Sequence, residues 1–504
     1  MNKNLYSSLG FSSNPFSRLS AEQERGYLEE IYVKPRYFDT LLDDISDGNS
    51  RLIFGKRGIG KSSLIFELDR LLNQTGAFSI TIDSFDDIPN ENNYGALIYM
   101  MLEELTTKIA ILTTKYKYKI KELSKSQKIK LAFFVKEFYN PVTIDEYQEY
   151  INKVRGLETR NWFVKKYNNL FYTPLNVAAN AGVEIIGSTI SKSLGIDNID
   201  VSEQYKEYFP KASIKEHQRE NTKKELIENI KLLKSFLSEL IKLIKTLGFK
   251  SVVIFFDRID EVSSLDGRVD RVANFLKYIL SDTSFLHDPS FSLVFSLWDQ
   301  VRDSLNNLGV RYDKFRPITI AWTFDELKEI IRKRLKYFSV SPINYVDLNS
   351  IMPTERETGR ILSLSYRSPR DAIRLLSHIY DEQSNNNVDV EIFENNSIKR
   401  GKLKFVKNYD YKSVIPSGKG KENIIVNVNR LLKIGKTKFK IQDMTSELKI
   451  SHVTAISYIK IFINLGLVEM LGERDNNAKV YQIQDPKIKY IISRGYKKLE
   501  EIHY

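Results

Sequence analysis

The chain has 504 residues, enough for about three domains that each bury a core, and its 42% hydrophobic and 28% charged residues place it among globular proteins. With no cysteine and five scattered histidines, it offers no disulfide, no thiolate zinc site and no histidine pair at ligand spacing. The net charge of +12 is concentrated at one end: residues 401–504 hold 20 Lys and Arg against 10 Asp and Glu, so a polyanion is sought there first, with a merely solvated basic surface as the equal alternative.

The opening stretch MNKNLYSSLGFSSNPFSRL has no continuous apolar signal core. The longest uncharged run, Tyr167 to Val183, is too polar and too short to span a bilayer. The expectation is a soluble cytoplasmic protein without a membrane partner.

Residues Gly55–Leu64, GKRGIGKSSL, stand between the apolar run LIF, read as a strand, and IFELDRLL, read as a helix. An ordinary strand-to-helix turn is one reading. The other is a phosphate cradle, because Gly55, four residues and then Gly60-Lys61-Ser62 satisfy GxxxxGK[ST] with the flanks that the motif requires. In such a loop the backbone N–H groups from Gly55 through Gly58, Ile59, Gly60 and on to Ser63 converge on phosphate oxygens. Lys61 reaches the β and γ phosphates, and the Ser62 hydroxyl holds Mg²⁺.

A magnesium ion needs a carboxylate at the C-terminal end of a buried strand, and SVVIFFDRIDEV supplies one. Ser251 to Phe256 is mostly β-branched or aromatic, as in a strand covered on both faces, so Asp257 falls where the chain emerges. Asp260 and Glu261 follow within a turn and could orient or deprotonate an attacking water, Asp260 being preferred. The plainer reading of these acids is that they cap the next helix.

These motifs together resemble the AAA+ and STAND branch of P-loop ATPases, in particular a bacterial group related to origin-recognition and archaeal initiator ATPases. The leader NPF, Asn14 to Phe16, and YVKPRYFDTLLDDI from Tyr32 are similar to the segment that crosses the adenine in initiator-type ATPases, which would place Tyr32 and Val33 beside the base. The spacing Asp257-x-x-Asp260-Glu261 resembles NACHT-type STAND proteins and implies a slow, switch-like ATPase. The resemblance also implies that Ser296, in SFSLVFSLWDQ, watches the γ-phosphate, and that Arg370, in YRSPRDAIRLL, reaches it from a lid helix. A solvated or capping Arg370 is the alternative. Arg311 and Arg316 are either arginine fingers for a neighbouring subunit or surface charges at a strand edge.

The resemblance covers roughly the first hundred residues and then Gly248 to about Tyr380. Lys61 and Asp257 are much further apart than the shared core needs, so an insertion follows the strand SITIDSF. Apolar residues at three- and four-residue spacing predict long amphipathic helices over Ala96–Leu112 and Asn221–Leu247. Between them PLNVAANAGVEIIGSTISKSLG reads as a hairpin, a partner-binding surface or a poorly packed flap.

After the lid the period fades in SNNNVDVEIFENNSIKRGKLK, which marks a boundary near residue 400. ENIIVNVNRLLKIG, FKIQDMTSELK and SHVTAISYIKIFINLG then read as three helices, and LVEMLGERDNNAKVYQIQ as two strands around a polar turn. That order resembles a winged helix-turn-helix. His452, Thr454, Ser457 and Lys460 would face DNA, with Arg474 and Lys479 on the wing and Lys436, Lys438 and Lys440 near the backbone. The third helix carries no Arg, Asn or Gln on that face, so non-specific or weakly specific double-stranded DNA binding is expected, with protein docking as the alternative.

The expected fold class is α/β: a parallel-sheet P-loop NTPase core with a helical insertion and a helical lid, then an α+β winged helix-turn-helix domain. The expected boundaries are an adenine-flanking segment over 1–49, an ATPase core over 50–325 with the insertion at about 98–245, a lid over 326–400, a linker over 401–421 and the winged helix over 422–504. The function read from these parts is an ATP- and Mg²⁺-dependent ATPase switch coupling nucleotide state to homo-oligomerisation or DNA engagement, with a protein partner at the insertion or the winged helix as a further expectation. By analogy alone it would serve phage defence or a mobile element. The competing reading is a non-catalytic ATP-binding regulator or scaffold.

Overall fold

The computed structural model describes residues 4–85, 88, 93–115, 123–139, 223, 226–411, 424–475 and 478–503. The middle of the insertion, including the segment 174–195, and residues 412–421 of the expected linker lie outside the described residues.

After three one-turn helices (Leu5–Ser8, Ala21–Glu24 and Leu28–Ile31), the labelled elements are, in chain order, α1 (Phe38–Ser46), β1 (Arg51–Phe54), α2 (Lys61–Thr75), β2 (Phe78–Ile82), α3 (Asn93–Lys115), α4 (Lys125–Phe138) and α5 (Ile230–Thr246). Then come β3 (Val252–Phe256), α6 (Val269–Ser281), β4 (Ser292–Leu297), α7 (Val301–Asn307), β5 (Ile318–Thr319) and α8 (Phe324–Phe338). α9 (Glu355–Leu364), α10 (Pro369–Asn386) and α11 (Asn395–Lys407) follow. The C-terminal part is α12 (Ile424–Ile434), β6 (Lys438–Phe439), α13 (Ile441–Leu448), α14 (His452–Asn464), β7 (Val468–Asp475), β8 (Ala478–Ile483) and α15 (Pro486–Ser493). The chain divides into two compact units, a sheet unit of Tyr37–Phe54 and Ile65–Ile318, and a second unit of Met1–Arg36, Gly55–Leu64 and Thr319–Tyr504.

The sheet has five strands in the order β2-β3-β4-β1-β5, with β1, β2, β3 and β4 paired in parallel. Parallel pairing needs crossover connections, and the chain supplies them as helices. Every residue of β1, β3 and β4 is buried, which is why β3 reads as an unbroken apolar run and β1 and β4 as mostly apolar ones. One face, carrying Leu52, Phe54, Ile254, Phe256, Phe295 and Leu297, joins a core with Leu97, Met101 and Leu105 of α3 and Phe236, Leu240 and Ile244 of α5. Phe256 and Phe295 stack at 4.7 Å within it, an aromatic pair that adds about 0.5–1.5 kcal/mol beyond its burial. α3 and α5 lie where the amphipathic period put helices, and Leu233, Phe236, Leu237, Leu240, Ile241 and Ile244 form the buried stripe of α5. α3 is tied to α2 and β2 by buried Lys108, whose ammonium reaches the Asn73 carboxamide oxygen at 3.3 Å and the Ser79 carbonyl.

In the second unit, the N-terminal segment lies along α8. Asn14 accepts the Phe16 amide at 2.9 Å, so NPF is a side-chain-closed turn that buries Phe16 edge-on against Tyr380 of α10. Thr323 and Glu326 form the capping box that starts α8.

The expected boundary near residue 400 falls inside a helix. α11 runs through Asn395–Lys407, and a Cβ on Gly401 would lie 2.7 Å from the Ile379 Cα, so a glycine is needed where α11 crosses α10. Its buried face includes Ser397, Gly401 and Lys402 among the apolar residues, so it leaves no clean hydrophobic period. The C-terminal part forms the expected winged helix: α12, α13 and α14 with an antiparallel sheet in the order β6-β8-β7. It also has α15, absent from the sequence reading, whose start is signalled by Asp485 as N-cap and Pro486 in the first turn.

Candidate nucleotide site

β1 ends at Phe54 and the chain passes directly into the glycine loop, with α2 starting at Lys61. Gly58 (φ 79°) and Gly60 (φ 100°) take left-handed conformations that other residues adopt only under strain. The buried Lys61 ammonium folds back on the loop, donating to the Gly55 carbonyl at 3.1 Å and the Lys56 carbonyl at 3.2 Å. Buried Trp322 donates its indole N–H to the Ile59 carbonyl at 2.7 Å. Ser62 and Ser63 are half-buried in the first turn of α2. Such a loop presents backbone N–H groups and a helix N-terminus to an anion, with an ammonium alongside that can exchange carbonyl for phosphate oxygens.

The lid reaches the same loop. Ser368 caps α10, accepting the Asp371 amide at 3.2 Å, and its hydroxyl also donates to the Gly58 carbonyl at 3.3 Å. The Arg370 amide donates to that carbonyl at 3.4 Å. A Cβ on Gly58 would stand 3.2 Å from the Arg370 Cβ and 3.3 Å from its Cδ. The structure therefore places the start of the Arg370 side chain beside the glycine loop, with the residue exposed. The turn before it is strained, since Tyr366 (φ 53°) and Arg367 (φ 60°) are consecutive non-glycine residues in the left-handed region. The Lys56 ammonium lies 4.6 Å from the centre of the Tyr366 ring.

Tyr32 and Val33, the residues expected beside the base, are also in this unit. Tyr32 is buried and its carbonyl accepts from Lys333 at 2.8 Å, while Val33 is half-buried. The segment is held by Arg334, a residue that sequence reasoning missed. Buried Arg334 donates to the Pro15 carbonyl at 2.5 Å and the Arg18 carbonyl at 2.9 Å, and pairs with buried Glu24. Removing one partner strands the other charge. Arg334→Ala should therefore cost about 3–5 kcal/mol, and hydrogen exchange of residues 14–31 should speed up; an unchanged melting temperature and exchange pattern would contradict this.

In the sheet unit, Asp257 closes β3. It is buried, and its amide donates to the Ile82 carbonyl at 3.0 Å. Phe256 pairs with Phe295, so the same register sets Asp257 opposite Ser296, itself paired with Ile53 of β1. The Ser296 hydroxyl is buried and has no hydrogen-bond partner among the described residues. Arg258 takes a left-handed turn (φ 59°) into one turn of 3₁₀ helix, Ile259–Glu261, in which Asp260 is buried and Glu261 exposed. Arg311 and Arg316 are exposed and pair with Asp313 at 2.9 Å and Asp44 at 3.5 Å.

The donors assigned to Mg²⁺, the Ser62 hydroxyl and the Asp257 carboxylate, are hard oxygens that suit the ion. Among the described residues no group of three His, Cys, Asp or Glu side chains forms a metal cage.

On the winged helix His452, Ser457 and Lys460 of α14 are exposed, as are Lys438 of β6 and Lys479 of β8. Lys436 pairs with Asp443 at 2.6 Å, and the Asp443 carboxylate also takes the amide of half-buried Lys440 at 2.7 Å. Thr454 is half-buried, its hydroxyl 2.9 Å from that of the N-cap Ser451, so it serves the start of the helix. Arg474 pairs with Lys479 across the wing, and its side chain lies outside the described residues. Sequence reasoning missed that the exposed surface of α14 also carries apolar side chains, Val453 at 77% exposure together with Ile456 and Ile463, interleaved with His452, Ser457 and Lys460.

The chain is similar to ORC proteins of known structure. It matches the Aeropyrum pernix ORC2 protein solved as ADPNP-ADP complexes at 11% identity, covering 96% of this chain and 99% of that one, with a TM-score of 0.41. The ADP form of that protein matches at 10% identity and a TM-score of 0.34, covering 99% of this chain and 97% of that one. Drosophila ORC bound to DNA matches at 10% identity and a TM-score of 0.27, covering 96% of this chain and 90% of that one. No family model and no curated protein matches. Values this low carry no argument about ligands, so the reading below rests on the chain's own residues. No helix among the described residues is long and apolar enough to cross a membrane.

Proposed function

We propose that the protein is an ATP-binding, slowly hydrolysing switch that couples its nucleotide state to oligomerisation or engagement of duplex DNA. The observation that carries this reading is the glycine loop with Lys61 folded onto its own carbonyls and the capped start of α10 set against Gly58. In this reading the loop from Gly55 to Ser63 cradles the phosphates, Lys61 binds the β and γ groups, and Arg370 meets the γ-phosphate. Ser62 and Asp257 would hold a Mg²⁺ ion, which supplies charge neutralisation on the phosphates. Asp260 takes the proton of the attacking water, and the buried Ser296 hydroxyl donates to the γ-phosphate. Tyr32 and Val33 border the base. The NACHT-like spacing supports slow turnover, and a setting in phage defence or a mobile element rests on the resemblance alone. Phosphate release from Mg·ATP by the pure protein tests the reading against a non-catalytic scaffold, which would bind and release none.

For the winged helix, three exposed lysines, Lys438, Lys460 and Lys479, support non-specific contact with phosphates. Duplex affinity should fall with salt at a log–log slope of about −0.9 per contact, so near −3 for three, and each Lys→Ala change should flatten it by about one. The exposed apolar side chains of α14, Val453, Ile456 and Ile463, favour a second reading in which this helix docks on protein. A flat salt response would select that second reading.

A further inference from the structure

We propose that Lys487, on the last helix of the winged helix, is a positioning residue for the phosphate loop, acting through Asp371 on the turn that carries Arg370. The inference rests on the nucleotide reading of that loop.

Lys487 is 1% exposed, although it is a charged residue in the first turn of a helix. Its ammonium lies 3.5 Å from the Asp371 carboxylate and 3.7 Å from that of Asp485, the N-cap of its own helix. It also stands 4.1 Å from the Tyr409 ring centre and 5.9 Å from that of Tyr366. The Tyr409 hydroxyl donates to the same Asp371 oxygen at 2.9 Å. Burial raises the Asp371 carboxyl above the ordinary carboxylate range, with Lys487 pulling the other way. Buried pairs of this kind add little net stability, whereas losing one partner is costly.

Asp371 occupies the first turn of α10, next to Arg370, and its amide is the one that Ser368 caps. Fixing the Asp371 side chain fixes this turn, and the turn holds the Gly58 carbonyl through the Ser368 hydroxyl and the Arg370 amide. A second contact runs parallel to it: Tyr366 lies between Lys56 of the loop and Lys487. A winged-helix side chain thus sets the geometry of a loop more than four hundred residues earlier in the sequence.

The test is Mg·ATP affinity of the full chain, measured for the wild type, Lys487→Met, Ser368→Ala, which removes the hydroxyl that joins the Asp371 turn to the Gly58 carbonyl, and the double variant. Lys402→Met, which removes an equally buried lysine paired with Glu357, serves as the control for lost stability. Lys487→Met should weaken Mg·ATP about tenfold, the double variant should lose clearly less than the two single losses combined, and Lys402→Met should stay within about twofold of wild type. Tyr409→Phe, which keeps the ring and removes the hydroxyl from Asp371, should give a smaller loss with the same non-additivity, and it carries the test if Lys487→Met does not fold. Unchanged affinity, or losses that add in the double variant, would overturn the proposal. A wild type that binds no nucleotide would show as failure of the first arm and overturn the loop reading itself, and the proposal with it.

Discussion

Lys61→Ala is expected to weaken Mg·ATP binding by at least about a hundredfold while leaving the fold intact. The Lys61 ammonium sits at the start of α2, buried, and is hydrogen-bonded to the Gly55 and Lys56 carbonyls. When a triphosphate enters, these neutral contacts are exchanged for contacts with anionic oxygens, and charge-assisted bonds are worth about 1.5–3 kcal/mol each. Losing two of them gives a factor of about 10²–10⁴. The contacts to the Gly55 and Lys56 carbonyls lie within the loop, outside the hydrophobic core, so circular dichroism and gel filtration should match wild type. A nucleotide titration in which the variant binds as tightly as wild type would remove Lys61 from the site.

Asp260→Asn is expected to separate binding from turnover. Its buried position, one turn after the acid that closes β3, suits a carboxylate that takes a proton from water, a contribution of about 10²–10⁴ in rate. The amide keeps the size and hydrogen-bonding capacity of the group and loses the basicity. Mg·ATP affinity should stay within about twofold, and phosphate release should fall at least about a hundredfold. Glu261→Gln, at an exposed position, should change neither quantity. Equal phosphate release by wild type and Asp260→Asn would exclude Asp260 as the base.

The parts legible in the sequence are those whose signal is local. The loop motif is contiguous, β1 and β3 are buried on both faces and so read as apolar runs, and Asp257 is the first charge after such a run. α5 was legible because its buried stripe is wholly apolar. The parts that were not legible depend on polar residues buried by partners far away in the chain. Arg334 looks like one more base in a charged helix until Glu24 and the Pro15 carbonyl surround it, and Lys487 looks like a solvated charge until Asp371 and Tyr409 do. α11 was missed for the same reason, because Ser397, Gly401 and Lys402 are buried and break the hydrophobic period. The face of α14 shows the converse, with Val453 apolar in sequence and open to solvent in the fold.

Isothermal titration calorimetry of the folded wild-type chain with Mg·ATP puts the whole nucleotide reading at risk in one experiment. Saturable heat at one site per chain, absent when Lys61→Ala is titrated under the same conditions, is the result expected here. No heat with either ATP or GTP, on protein shown to be folded, would mean that the loop from Gly55 to Ser63 is an ordinary strand-to-helix turn.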